Sequence, residues 1–170
     1  MADRDRPIPS TLTVEEGRDV YLRENGFTTE AYDEPRTKVS VLWFDFSVRN
    51  TLRHRVAIMQ HDLHHVATGF GTNPTGESEI SAWELRRGFR GLDLYVSSIV
   101  VSVALVGLLI APLRTLRAWR LSGRHPTLFR GERPYDQLLS MTVGELRAFL
   151  GVPEAGLADR PRRLHARAPD

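Results

Sequence analysis

Apolar residues recur at helical spacing over most of the chain, and the segments that carry this period are bounded by helix start and stop signals. Thr13-Val14-Glu15-Glu16 has the spacing of a capping box and Asn25-Gly26 supplies a left-handed stop, so a helix is expected from Val14 to Glu24. Val39 to Val48 is β-branched and aromatic with partial alternation, the pattern of a strand or an extended buried segment. Asn50 or Thr51 can cap a helix that continues to Thr68, where Gly69 ends it. A turn-rich stretch from Gly69 to Gly76, with Asn73-Pro74, then leads to a helix expected to begin at Glu77. The uncharged run from Leu94 to Leu113 reads as helical, with Pro112 and Gly123 as kink and stop. Thr142-Val143-Gly144-Glu145 is a second capping box, opening a short helix closed by Gly151. The pattern predicts a mostly α, single-domain helical bundle over residues 1–157 and a flexible Pro/Arg/Ala tail over 158–170.

The run from Leu94 to Leu113 needs a decision, because about twenty apolar residues are enough to cross a bilayer. Ser97, Ser98 and Ser102 interrupt it, Pro112 ends it, and Asp93 and Arg114 flank it. A helix that is hydrophobic all round can equally be the central element of a globular bundle, and the buried reading is preferred. Arg114, Arg117, Arg120 and Arg124 follow at helical spacing, which suits a lipid surface or a phosphate and equally a solvated face. Trp43, Phe44, Phe46 and Trp83 are expected in the core.

Composition narrows the chemistry. A chain of 170 residues with 41% hydrophobic content is large enough for one core and too short for two ordinary domains. The absence of cysteine excludes disulfides, thiolate nucleophiles and Cys-ligated metals, so a metal has to sit on His, Asp or Glu. A net charge of +2 does not nominate nucleic acid as a partner. Met1 to Pro9 is charged and Pro-containing and does not read as a signal peptide, which favours a cytoplasmic location with membrane association open.

The informative segment is the helix from Asn50 to Thr68. On a helical wheel Leu52, Val56, Met59, Leu63 and Val66 fall within about 80°, an apolar stripe expected to face the core. His54, Ile58, His61 and His65 fall within about 60° on the opposite side, with Asp62 at the edge. His61 and His65 are one turn apart, so both imidazoles can reach one cation, as paired histidines do on zinc helices. Asp62 is close enough to ligate, to orient a histidine or to act as a base, and Glu77 arrives from the next helix after a loop with Gly69, Gly71 and Gly76. Two imidazoles and one or two carboxylates hold a divalent metal with open positions, and ligand type does not choose among zinc, iron, manganese and cobalt. His64 points away from this face, and His54 is expected to be a supporting or surface residue rather than a ligand.

The string His61-Asp62-Leu63-His64-His65, eleven residues and then Glu77 resembles the H-D-x-x-H-x(11)-E signature of the coenzyme Q biosynthesis protein four family. The segments His65 to Thr72, Gly76-Glu77, Ala82-Trp83-Glu84-Leu85, and Leu138-Leu139 to Glu145-Leu146-Arg147 are also similar to bacterial members. The resemblance implies a mostly helical fold and a metal held by His61, Asp62, His65 and Glu77; of these, Asp62 and Glu77 are taken as the candidate catalytic residues. It also implies a pocket for a polyprenyl-type lipid, to which Val100, Leu105 and Leu108 of the apolar helix are assigned. Peripheral membrane contact, other biosynthetic enzymes as partners and a homodimer as a candidate assembly belong to the same expectation.

Family members act in ubiquinone head-group maturation, in oxidative decarboxylation and as organisers of other enzymes. The expected function is therefore a metal-dependent enzyme acting on the head group of a prenylated aromatic or quinone-like substrate. A non-catalytic lipid-binding scaffold, and a lyase or cyclase of specialised metabolism using the same metal site, are the alternatives. No Gly-x-Ser-x-Gly elbow and no P-loop is present.

Overall fold

The computed structural model describes residues 7–41 and 44–158, and within 37–48 the backbone alone. Seven α-helices follow in order: α1 (Val14–Asn25), α2 (Leu52–Thr68), α3 (Pro74–Arg87), α4 (Leu94–Ile110), α5 (Pro112–Leu121), α6 (Tyr135–Ser140) and α7 (Val143–Leu150). Between α1 and α2 lie a 3-10 turn (Thr29–Asp33) and an antiparallel hairpin of β1 (Arg36–Val41) and β2 (Phe44–Arg49). A second 3-10 turn, Leu128–Arg130, precedes α6. The mostly α bundle expected from the sequence is what forms.

Both capping boxes close as their spacing predicts, with Thr13 and Glu16 opening α1 and Thr142 and Glu145 opening α7. The two caps also lie side by side: the Val14 N–H donates to Met141 O at 2.7 Å and the Val143 N–H to Leu12 O at 2.8 Å. Leu63, Ile80, Trp83, Ala118, Leu138, Leu146 and Leu150 form the centre of the core, drawn from α2, α3, α5, α6 and α7. The fully buried Arg147 side chain donates its Nε–H to Ala67 O at 3.0 Å, and the Leu157 and Ala158 N–H groups donate to Thr68 O. The last carbonyls of α2 are thereby satisfied inside the protein, which holds the end of the histidine helix in place.

Several expectations are corrected. The run from Val39 to Val48 is two paired strands rather than one. The third helix begins at Pro74, not Glu77, because the Asn73 side chain accepts from the Gly76 N–H at 2.9 Å and proline suits the first helical position. The stripe on α2 faces the core only in its second half: Leu63 and Val66 are fully buried, whereas Leu52 and Val56 are 77% and 52% exposed beyond the edge of the bundle. Trp83 lies in the core, while Trp43 and the Phe44 and Phe46 side chains lie outside what is described. Of the tail, residues 159–170 lie outside the described residues, and Ala158 packs on the core.

The apolar helix is not central. Only Val96, Val100, Ala104 and Gly107 of α4 are buried, one face laid on α3, while Leu94, Leu105, Leu108 and Leu109 are exposed. A side chain at Gly107 would meet the Ser78 side chain at 2.4 Å, so glycine lets α4 approach α3 closely. Among the described residues no helix is long and apolar enough to cross a membrane. The arginines that follow are partly structural: Arg114 forms a two-point ion pair with buried Glu79, at 2.7 and 3.1 Å, and Arg117 donates to Leu157 O at 3.0 Å.

Candidate metal centre

α2 presents His61 and His65 one turn apart, and the α2–α3 connection determines what faces them. Gly69 takes the left-handed conformation, φ 76°, that ends α2. The chain then folds so tightly that a Cβ on Gly76 would sit 2.1 Å from Gly71 O. This approach, open only to glycine, sets the first turn of α3 against the loop and turns Glu77 toward the histidines.

The His61 and His65 Nε2 atoms are 3.1 Å apart. Glu77 places one carboxylate oxygen 3.3 Å from His61 Nε2 and the other 3.4 Å from His65 Nε2. Each imidazole is anchored through its other nitrogen: His65 Nδ1–H donates to Phe70 O at 2.9 Å, and His61 Nδ1–H donates to Glu84 Oε1 at 2.8 Å. These acceptors fix the tautomers and turn both Nε2 lone pairs toward one point, the arrangement that supports histidine ligands. Tyr21 stacks on His65 with ring centroids 5.3 Å apart, which limits its rotation.

The donor set fits a divalent cation. Two nitrogens each about 2.0–2.1 Å from one tetrahedral ion lie about 3.3 Å apart, close to the separation found here. Two facing lone pairs and two carboxylates also require positive charge between them, from a proton or a metal. Burial opposes charge on His61, yet Glu84 and Glu77 beside it outweigh that and raise its pKa well above the ordinary histidine value. Burial likewise opposes ionisation of Glu77, but His65 and His61 hold its carboxyl well below the usual range. Three protein donors could hold a metal ion and leave positions free for a further ligand.

Asp62 stands apart from this cluster. Its carboxylate accepts from the Tyr32 hydroxyl at 2.5 Å and the Tyr21 hydroxyl at 3.5 Å, so both oxygens are engaged by tyrosines rather than turned to the Nε2 atoms. His54, two turns earlier on α2, is buried with its ring edge-on to Tyr95 at 5.9 Å and has no hydrogen bond on Nδ1 among the described residues. His61, Asp62, Glu77 and His54 nonetheless line one cavity of about 400 Å³, whose other walls are mainly apolar. α4 supplies Val96, Val100 and Val103 to that wall. Leu105 and Leu108 are not among the residues lining it: they are 56% and 42% exposed, because they sit about 140° and 80° round the helix from Val100.

No protein-family model, curated protein or solved structure matches the chain. The residues themselves carry the reading.

Glu84 is the residue that the wheel analysis missed. It is fully buried, and its Oε1 accepts from both His61 Nδ1 at 2.8 Å and His64 Nδ1 at 2.7 Å. The signal was present: Glu77 and Glu84 are two turns apart and fall within about 20° on one face of α3. His64, set aside by the wheel, is fully buried against Trp83 and Phe129 and accepts the Leu128 N–H at 3.0 Å on Nε2.

Proposed function

We propose that the protein is a metal-dependent enzyme acting on the head group of a prenylated aromatic or quinone-like substrate, as the resemblance to the coenzyme Q biosynthesis protein four family implies. The observation that carries this reading is the meeting of the His61–His65–Glu77 cluster with an apolar cavity of about 400 Å³. Pockets of this size and character suit a drug-sized apolar molecule oriented by a few polar groups. His61, His65 and Glu77 would hold the metal, and Asp62 acts beside it rather than as a fourth ligand.

A bound divalent cation supplies Lewis-acid stabilisation of charge developing on a head-group oxygen and, where redox-active, dioxygen chemistry. The protein's own part is binding and proton handling. Val96, Val100, Val103 and Phe129 exclude water from the apolar portion of the ligand. Asp62, steadied by Tyr21 and Tyr32, accepts a proton from a head-group hydroxyl at its carboxylate. In a decarboxylation the bond between ring carbon and carboxyl breaks, CO2 leaves and the electron pair stays on the ring. Without an oxidant the ring carbon takes a proton; its hydroxylation would require dioxygen together with a two-electron donor, one oxygen atom entering the ring hydroxyl and the other leaving as water.

Peripheral contact with an anionic lipid surface is part of the proposal. It uses Leu109 and Leu113, 83% and 82% exposed at the α4–α5 corner, together with exposed Arg120 on α5. The test of the substrate class is organic extraction of the purified protein followed by mass spectrometry. An aromatic isoprenoid in the wild type, lost on Val100→Trp, is the expected result; a Val100→Trp protein that retains the same lipid would remove the cavity from the account.

A further inference from the structure

The structure assigns to Glu84 the role of a positioning residue: its Oε1 holds His61 in the tautomer that the metal cluster needs, through a bond that does not depend on the His64 bonded to the same oxygen. The inference rests on the metal reading of His61, His65 and Glu77.

The geometry is specific. Glu84 Oε1 is the acceptor for two imidazole Nδ1–H groups, from His61 at 2.8 Å and His64 at 2.7 Å. His64 has its Nε2 occupied by the Leu128 N–H at 3.0 Å, so its Nδ1 must carry the proton. With Oε1 accepting that proton's hydrogen bond, the carboxylate stays an acceptor, and the facing His61 Nδ1 has to be a donor. The His61 Nε2 lone pair is then left for the cluster.

The two oxygens of Glu84 differ: Oε1 serves two imidazoles, while Oε2 is buried at a cost. The side chain is fully buried, and Oε2 has no hydrogen-bond partner among the described residues. Oε1 offsets part of that cost by accepting from buried His64, but the bond to His61 is the one that reaches the cluster. Orienting His61 and strengthening its basicity is the function that a carboxylate performs here and an apolar residue cannot. Phe129, next to Leu128, packs on His64 with ring centroids 5.0 Å apart and lines the cavity.

The test is cobalt(II) affinity, measured by competition with a chelating dye, for wild type, Glu84→Gln, His64→Leu and His61→Ala. Glu84→Gln keeps the volume and one acceptor oxygen but removes the charge, and is expected to bind cobalt about 10–100-fold more weakly with an altered visible spectrum. His64→Leu, which leaves the His61–Glu84 bond in place, is expected to lower thermal stability while changing cobalt affinity less than about threefold. Equal cobalt affinity in wild type and Glu84→Gln overturns the positioning role alone. So does a loss in His64→Leu as large as that in Glu84→Gln, which would mark general loosening. Failure of the wild type to bind cobalt any better than His61→Ala overturns the metal reading itself. Nitrogen-15 histidine spectra of the zinc-loaded wild type check the metal reading beneath it: His61 and His64 protonated on Nδ1 is the expected result, and His61 protonated on Nε2 overturns the use of that nitrogen as a ligand.

Discussion

The two helices richest in information, α2 and α4, have exchanged the positions their composition suggests. α4 is almost wholly apolar, yet half of it faces outward, with Leu94 87% and Leu109 83% exposed. α2 carries four histidines, a glutamine and an aspartate, yet Asp62, His64 and His65 are buried among Trp83, Phe129 and Tyr21. Burial of polar groups is tolerable where each finds a partner: α3 supplies Glu84 to His64 and Glu77 to His65, Phe70 O takes the other nitrogen of His65, and Tyr21 and Tyr32 serve Asp62. The uncovered face of α4 is the one that the proposed lipid contact would use. The difference teaches that position in this fold follows hydrogen-bond satisfaction at the polar helix, and that α4 is an outer wall with one working face.

Matched truncations in the two helices sharpen the contrast most. Leu63→Ala, at a fully buried position of α2, is expected to lower unfolding free energy by about 2–5 kcal/mol, and Leu109→Ala on α4 by less than about 0.5 kcal/mol, both by urea denaturation. Similar losses at the two positions would break the comparison. Metal removal comes next: if the α2–α3 cluster binds a cation only when folded, saturation at a hundred times Kd adds about 2.7 kcal/mol, which chelation should abolish in thermal melts of the wild type but not of Glu77→Ala.

Arg114→Ala should cost about 1–2 kcal/mol, below the ~3–5 kcal/mol of a fully enclosed pair, because the Arg114 side chain is 49% exposed while Glu79 is buried. Smallest in stability is the paired change Leu109→Asp with Leu113→Asp, expected to leave the melting curve almost unchanged and to abolish flotation with anionic vesicles. Undiminished flotation would mean that the exposed corner of α4 and α5 is not the lipid-facing surface.

Much of this arrangement was legible in the sequence wherever local signals decide. The capping boxes at Thr13 and Thr142, the Gly69 stop and the one-turn spacing of His61 and His65 are set by neighbouring residues, and all appear in the structure. Asn73-Pro74 also carried its signal, a cap followed by proline, but reading it as a turn placed the start of α3 too late. What the wheel could not give was pairing between helices. His64 looks idle on α2 until Glu84 and Leu128 are seen on either side of it, and Asp62 looks like a ligand until Tyr21 and Tyr32 take its oxygens. The exposure of Leu105 and Leu108 was equally illegible, since a helix apolar on every side does not mark which face will be covered.

The most direct test of the central claim is elemental analysis of the protein purified without added metal or chelator, beside His61→Ala prepared identically. The account predicts near-stoichiometric zinc, iron, cobalt or manganese in the wild type and little in the variant, with helical circular dichroism retained in both. Wild type and variant with the same metal content, whether full or none, would contradict it.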